Sequence, residues 1–316
     1  MKKVLSQFDY LKFVLAIIVI AIHTIGKENI GNIYISNIVN TIFSIAVPLF
    51  FIISSYLFFS KDTEKNVLKQ KILYYIRIYI KWSLIYLPIN FMAIIKQNTN
   101  IFDIMKKLFQ EFFILGQGTY SWPLWYLLAT VYAYILIYII WGLKIKEQKK
   151  CIILVICSIV SIIIARIYVD STNNIVVFFG NFRILQGIYY SCIGLFIGKY
   201  QIKVNKYILI IVCILTFGLS SFFLNEWIID IMIVAVFMYL LLYVIVERKN
   251  SIIFRVMSMI MYYIHMLVKL FILVLLKKPN YGFDVFIITT CTSIAISILF
   301  YIFDKKFNKK ISKLLF

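Results

Sequence analysis

Continuous apolar runs of about 18 residues or more recur along the whole of this sequence, and they decide what it can fold into, because a run of that length crosses a bilayer as an α-helix. The runs lack the apolar-polar alternation of a membrane barrel strand, and only a helix satisfies all its own backbone amides in hydrocarbon. Hydrophobic residues make up 63% of the chain, whereas soluble domains hold about 45 to 50%. The expected fold is therefore an all-α polytopic membrane protein, a bundle of about ten transmembrane helices forming one domain over residues 1–316. The ten spans are predicted to centre near Val19, Phe50, Leu84, Ala133, Ile159, Tyr190, Leu215, Ala235, His265 and Ala295. After Met1, Lys2 and Lys3 the first run contains Asp9 and Lys12 and has no small-residue cleavage site, so it reads as a retained span, not a cleaved signal.

Orientation follows from lysine and arginine, which short cytoplasmic loops retain. They crowd the N-terminus (Lys2, Lys3) and the even-numbered loops: Lys61 to Lys71, Lys144 to Lys150, Lys199 to Lys206, Arg248 to Arg255, and the C-terminal Lys305 to Lys313. On the other side stand Lys27, Lys96, Lys106, Lys107, Lys277 and Lys278. Both termini are thus expected to be cytoplasmic. The net charge of +20 reads as an orientation signal and an attraction to the anionic lipid of the bilayer; a nucleic-acid partner is not expected.

Six cations fall within or at the ends of spans: Lys12, Arg77, Lys81, Arg166, Arg183 and Lys269. A charge at mid-bilayer costs roughly 2.5 to 3.5 kcal/mol on insertion scales, so such groups face a cavity or the bundle interior and mark function. Carboxylates to pair with them are scarce. Asp9 shares the Lys12 face three residues away, and Asp230 begins the eighth span. An anionic ligand would resolve the imbalance. Arg77 and Lys81, one turn apart in the cytoplasmic half of the third span, suit phosphates entering from the cytoplasm; they also read as side chains snorkelling to headgroups, as do Arg166 and Lys269.

One of only two histidines, His23, lies in the first span eleven residues after Lys12. That spacing puts the two side chains about 20° apart around a helix and about 16 Å apart along it. The other histidine, His265, sits near the middle of the ninth span.

The five cysteines, Cys151, Cys157, Cys192, Cys213 and Cys291, all lie in apolar spans without a CxxC unit and read as small core residues. No metal is expected, because two histidines on distant spans lack a ligand cluster. Residues about 97 to 121 form the longest loop, amphipathic around Ile101 to Phe113 and expected at the outer surface. Gly187, Ser191, Gly194 and Gly198 make a small-residue stripe suited to close helix contact. Pro48 and Pro88 are positioned to kink their spans.

In order along the chain, several segments resemble the membrane-bound acyltransferase-3 family. Its first helix bears Arg or Lys, ten residues, then His, and Lys12 and His23 fit. Ala46-Val47-Pro48-Leu49-Phe50-Phe51, then Ser54-Ser55-Tyr56-Leu57, is similar to the family's VPLFF…SGY stretch, with Ser55 where the family has glycine. Leu124-Trp125-Tyr126-Leu127 resembles its aromatic motif, and Arg183 before a glycine-rich helix and Tyr262-Tyr263-Ile264-His265 also look like family features.

The resemblance implies transfer of an acyl group, usually acetyl, from cytoplasmic acyl-CoA to a hydroxyl on an envelope glycan or lipid-linked acceptor, in a multi-pass protein of a bacterial plasma membrane. The residues are compatible with that chemistry. A hydroxyl attacking a thioester needs a base that titrates near neutrality, which imidazole supplies. On this reading His23 is the general base, Lys12 and Asp9 belong to the catalytic set with Asp9 fixing the Lys12 ammonium, and Arg77 and Lys81 meet the CoA phosphates. Arg183, Trp125 and Tyr126 would contact the acceptor or stabilise the oxyanion, though the aromatics also read as interface anchors. His265 would orient the acceptor or relay a proton, or serve as a structural hydrogen-bonding group. A second class stays open: a carrier of the same family type, moving serine or a polysaccharide without covalent chemistry. Acceptor identity and oligomeric state are not legible in the sequence.

Overall fold

Apolar periodicity without strand alternation folds here into helices alone among the described residues, which in the computed structural model are 6–25, 32–61, 64–97, 100–169, 183–200, 202–223, 226–244, 251–277 and 281–307. The helices are α1 (Ser6–Thr24), α2 (Ile33–Phe59), α3 (Lys65–Gln97), α4 (Ile101–Phe109), α5 (Trp125–Trp141), α6 (Glu147–Val169), α7 (Arg183–Lys199), α8 (Lys206–Phe223), α9 (Glu226–Tyr243), α10 (Ser251–Leu276) and α11 (Phe283–Lys306). A π-helical turn, Gln110–Leu115, follows α4, and a 3₁₀ turn, Trp122–Leu124, leads into α5. All ten expected span centres lie on helices. Among the described residues, seven stretches are long and apolar enough to cross a membrane: α1, α2, Lys65–Lys96, Trp122–Trp141, α8, α10 and α11. The other three expected spans, α6, α7 and α9, are helical but are not among these seven when only the described residues are counted; the apolar part of α9 is Trp227–Tyr243. Of the groups used to orient the chain, Lys2, Lys3, Lys27, Arg248, Lys249, Lys278, Lys309, Lys310 and Lys313 lie outside the described residues, as does the Arg166 side chain. Pro48 and Pro88 are both carried inside continuous helices.

The described residues divide into two compact units, one drawn from residues up to 53 and from 202 onward, the other from residues 54–200. In the first, α1 packs against both α10 and α11, and α8 pairs with α9. Aromatic contacts set the depth of α1: Phe8 stacks on Phe237 of α9 at 5.7 Å, and Tyr10 and Phe13 both meet Phe254 of α10, at 4.6 and 5.3 Å.

The core of the second unit gathers Phe59, Leu68, Ile72, Tyr134, Ile137 and Leu195, among others. Tyr134 is its hub, fully buried and ringed by Phe58, Phe59 and Tyr75 at 5.5 to 5.7 Å. The Ser55 and Tyr134 hydroxyls lie 3.3 Å apart, so the serine at the glycine position of the sequence motif has a polar neighbour in an apolar core. At Gly198 a Cβ would come within 3.0 Å of the Ser60 amide nitrogen and 3.3 Å of the Tyr56 carbonyl. The absent side chain is what lets the end of α7 touch the backbone at the end of α2.

Candidate functional site

In the first unit Lys12 and His23 are both half-buried on α1. The His23 imidazole stacks on that of His265 in α10, ring centres 5.4 Å apart and planes 29° from parallel. His265 is fully buried. Its Nδ1 lies 3.0 Å from the Met261 carbonyl, and since a carbonyl only accepts, Nδ1 carries the proton. That leaves Nε2, which has no hydrogen-bond partner among the described residues, as a bare acceptor when the ring is neutral. Two imidazoles, one with a fixed tautomer, therefore face each other inside the first unit.

The end of α1 is tied down around His23. Lys269 of α10 donates from Nζ to the His23 carbonyl at 2.7 Å, and the Gly282 amide donates to the Thr24 carbonyl at 2.9 Å. The Thr24 hydroxyl donates back to Ile20 at 2.7 Å. The last carbonyls of a helix carry partial negative charge and lack intrahelical partners, so an ammonium there answers both needs. The same ammonium sits 4.4 Å from the centre of the Tyr281 ring, a cation–π contact on its other side. The sequence left Lys269 between an interior cation and a side chain reaching for lipid headgroups, and nothing in residue spacing could show that it caps α1.

At the other end of α1, both Asp9 oxygens accept from the Arg255 guanidinium, Nε to Oδ1 at 2.8 Å and Nη2 to Oδ2 at 2.9 Å. Arg255, assigned by its sequence position to a loop, belongs to the second turn of α10. The two-pronged pair and the Lys269 cap thus fasten α1 to α10 at both ends, with the His23–His265 pair at the capped end.

The second unit holds the remaining predicted residues. On α3, Arg77 is exposed and Lys81 half-buried, one turn apart. Arg183 opens α7 with its guanidinium 4.6 Å from the Trp122 ring centre and 5.5 Å from that of Trp125, and it donates to the Gln117 side-chain oxygen. A cation at a helix N-terminus opposes the macrodipole; the two indoles and the amide offset that cost. Trp125 is therefore a partner of Arg183. Tyr126 is not: its hydroxyl donates to Ser54 Oγ at 3.1 Å. Gln117 and Trp122 were missed in the sequence, although Trp122 lies two residues before the aromatic motif.

Beside this cluster, a cavity of about 330 Å³ opens between α3, α4 and the segment 110–121. Its polar wall is built on Asn90 of α3, which donates to Ser121 Oγ at 2.8 Å and accepts from the Tyr120 amide at 2.9 Å, while the Gly118 amide donates to the same Ser121 oxygen at 2.8 Å. Gly116, at φ 65°, makes the left-handed turn that ends the π-helical stretch and that a side chain would strain. Glu111 also lines the cavity. Burial pushes its carboxyl up to about 7, partly opposed by the nearby Lys107 ammonium.

Among the described residues no three His, Cys, Asp or Glu side chains converge as metal ligands. Comparison with known families shows a match to the acyltransferase domain over residues 5–302. Comparison with curated proteins and with solved structures finds no match.

Proposed function

Because the chain belongs to the acyltransferase-3 family, we propose that it moves an acetyl group from cytoplasmic acetyl-CoA to a hydroxyl of a cell-envelope carbohydrate or lipid-linked acceptor, with His23 as general base. The observation that carries this reading is the His23–His265 pair, 5.4 Å apart and held by a helix end that Lys269 and Gly282 fix in place. The acceptor O–H attacks the thioester carbonyl carbon and passes its proton to the His23 imidazole. The tetrahedral intermediate then expels the CoA thiolate, which takes up the proton, and the ester is left on the acceptor. His265, with its free Nε2 lone pair, orients the attacking hydroxyl or steadies the His23 imidazolium. Lys12 sits on the His23 face nearer the donor side, Arg77 and Lys81 answer the CoA phosphates, and Arg183 with Trp125 contacts the acceptor, while Asp9 anchors the helix that bears the base. In this reading the chain crosses a bacterial plasma membrane ten times with both termini in the cytoplasm.

The test is transfer of radiolabelled acetyl from acetyl-CoA to envelope material in membranes holding the native protein or His23→Ala. Removing a general base costs about 10² to 10⁴ in rate. Equal transfer by both proteins overturns the assignment, and solute uptake independent of acetyl-CoA favours a carrier.

A further inference from the structure

The cavity of the second unit falls within the range of small-molecule pockets in size, and its walls differ sharply in chemistry. Asn90, Ser121, Gln117 and Glu111 supply amide, hydroxyl and carboxyl groups. They are tightly set: a Cβ on Gly118 would lie 2.6 Å from both Asn90 Nδ2 and Glu111 Oε2. The Glu111 carboxyl makes no hydrogen bond to another described side chain, and the Gln117 oxygen is occupied by Arg183, which leaves the Gln117 NH₂ group as a donor.

The facing wall is apolar. Met105, Phe109 and Phe113 line the cavity and yet are 64, 57 and 53% exposed. With Ile101 they recur every fourth residue, one exposed apolar stripe along α4 and the turn after it. Beside helices that cross a membrane, such a stripe rests in the lipid interface, so the cavity mouth opens onto lipid, not onto bulk water.

We propose that this cavity binds one membrane-embedded amphipathic molecule with an uncharged polyol head, its hydroxyls meeting Glu111, Gln117 and Asn90 and its hydrocarbon chain lying along Leu87, Leu108 and Phe109. No lysine or arginine is among the lining residues, and the neighbouring cations already face lining groups, Lys107 beside Glu111 and Arg183 on Gln117, so an anionic head gains little. A cationic head gains little, because burial holds the Glu111 carboxyl near half-protonation at neutral pH. A carboxyl in that state both donates and accepts, which is what a hydroxyl asks of its partner. On the acyl-transfer reading this is the class to which the acceptor belongs, a sugar or polyol carried on hydrocarbon; the binding site itself stands apart from that reading.

The test uses the full chain in phosphatidylcholine nanodiscs and, as probe, octyl β-glucoside carrying a diazirine in its alkyl chain. After illumination, saturable label is expected on the peptide covering residues 101–118. Unlabelled octyl β-glucoside should displace it about tenfold more effectively than octyl phosphate or octyltrimethylammonium of the same chain length, a discrimination of about 1.4 kcal/mol. Glu111→Leu should weaken binding about tenfold, and Phe102→Ala, on α4 but outside the cavity lining, should leave it unchanged. Label that does not saturate, or that all three amphipaths displace equally, means lipid fills the space without selection and overturns the proposal. So does displacement by methyl β-glucoside as effective as by the octyl compound, since the ligand would then come from water. Because labelling requires no acyl donor, intact binding in a protein that fails to transfer acetyl counts against the transfer reading alone and upholds the pocket.

Discussion

Lys269 Nζ lies 2.7 Å from the backbone carbonyl of His23, so the residue on α10 that follows His265 by one helical turn holds the peptide unit of its stacking partner. The link runs through the main chain, not through the imidazole, and Lys269 is thus a positioning residue. Lys269→Met removes a charge-assisted hydrogen bond worth about 1.5 to 3 kcal/mol and should lower kcat for acetyl transfer about tenfold or more while KM for the donor stays near native. Lys269→Arg should restore part of the loss. A Lys269→Met protein with native kcat would show that the end of α1 needs no such cap.

The Asp9–Arg255 pair is unequal: the carboxylate side chain is 3% exposed and the guanidinium side chain 55%. Removing the buried partner's charge leaves the guanidinium free to turn to water, whereas removing the arginine strands a buried carboxylate. Arg255→Gln should therefore destabilise more than Asp9→Asn, by roughly 2 to 3 against 1 to 2 kcal/mol, between the ranges for exposed and buried pairs. Thermal unfolding in detergent of both single variants and the double variant measures the difference and the coupling. The reverse order would mean that Asp9 is better solvated than its burial implies.

Much of the architecture was legible because hydropathy reports directly on span-length helices: all ten predicted centres fall on helices, and the Lys12–His23 spacing puts both on α1. Three expected spans stay outside the seven: α7 has only 17 residues, the apolar part of α9 is Trp227–Tyr243, and the described part of α6 opens with Glu147, Lys149 and Lys150. Periodicity says which face of a helix turns inward but not which neighbour it meets. Asp9 was read with the nearby Lys12, and its oxygens turn out to accept from Arg255, 246 positions away. The partner of Lys269 and the presence of Gln117 escaped notice for the same reason: one is a backbone carbonyl of another helix, the other depends on a left-handed turn at Gly116 that brings a loop amide to Arg183. The cavity likewise depends on how α4 folds back along α3.

Arg183 is clasped by two indoles and one amide, a setting that rewards a planar, stacking cation and not an ammonium. Arg183→Lys should loosen the segment around Gln117 and Trp122. Faster proteolysis between residues 110 and 121 and altered tryptophan fluorescence are the expected signs, with global stability lower by about 1 kcal/mol. Gln117→Leu should reproduce the proteolytic change at weaker amplitude. Protection equal to native in both would mean that the 3₁₀ turn holds the loop without Arg183.

Glu111 gives this loop a pH dependence of predictable sign. Its carboxyl stands at about 7, against 4.5 when solvated, because burial disfavours the anion; Lys107 on α4 opposes the shift, and Tyr79 of α3 lines the same cavity. Between about pH 4.5 and 7 the folded protein keeps a proton that the unfolded chain has lost, so the contribution of Glu111 to stability falls as pH rises through that window and is level above it. Amide hydrogen exchange of residues 110–118, corrected for intrinsic rates, should show protection declining from pH 5 to pH 7.5. Glu111→Gln keeps the shape and hydrogen-bonding capacity of the neutral acid but has no proton to lose. Its protection should be flat across the same range, and a slope identical to native would assign the effect to some other group.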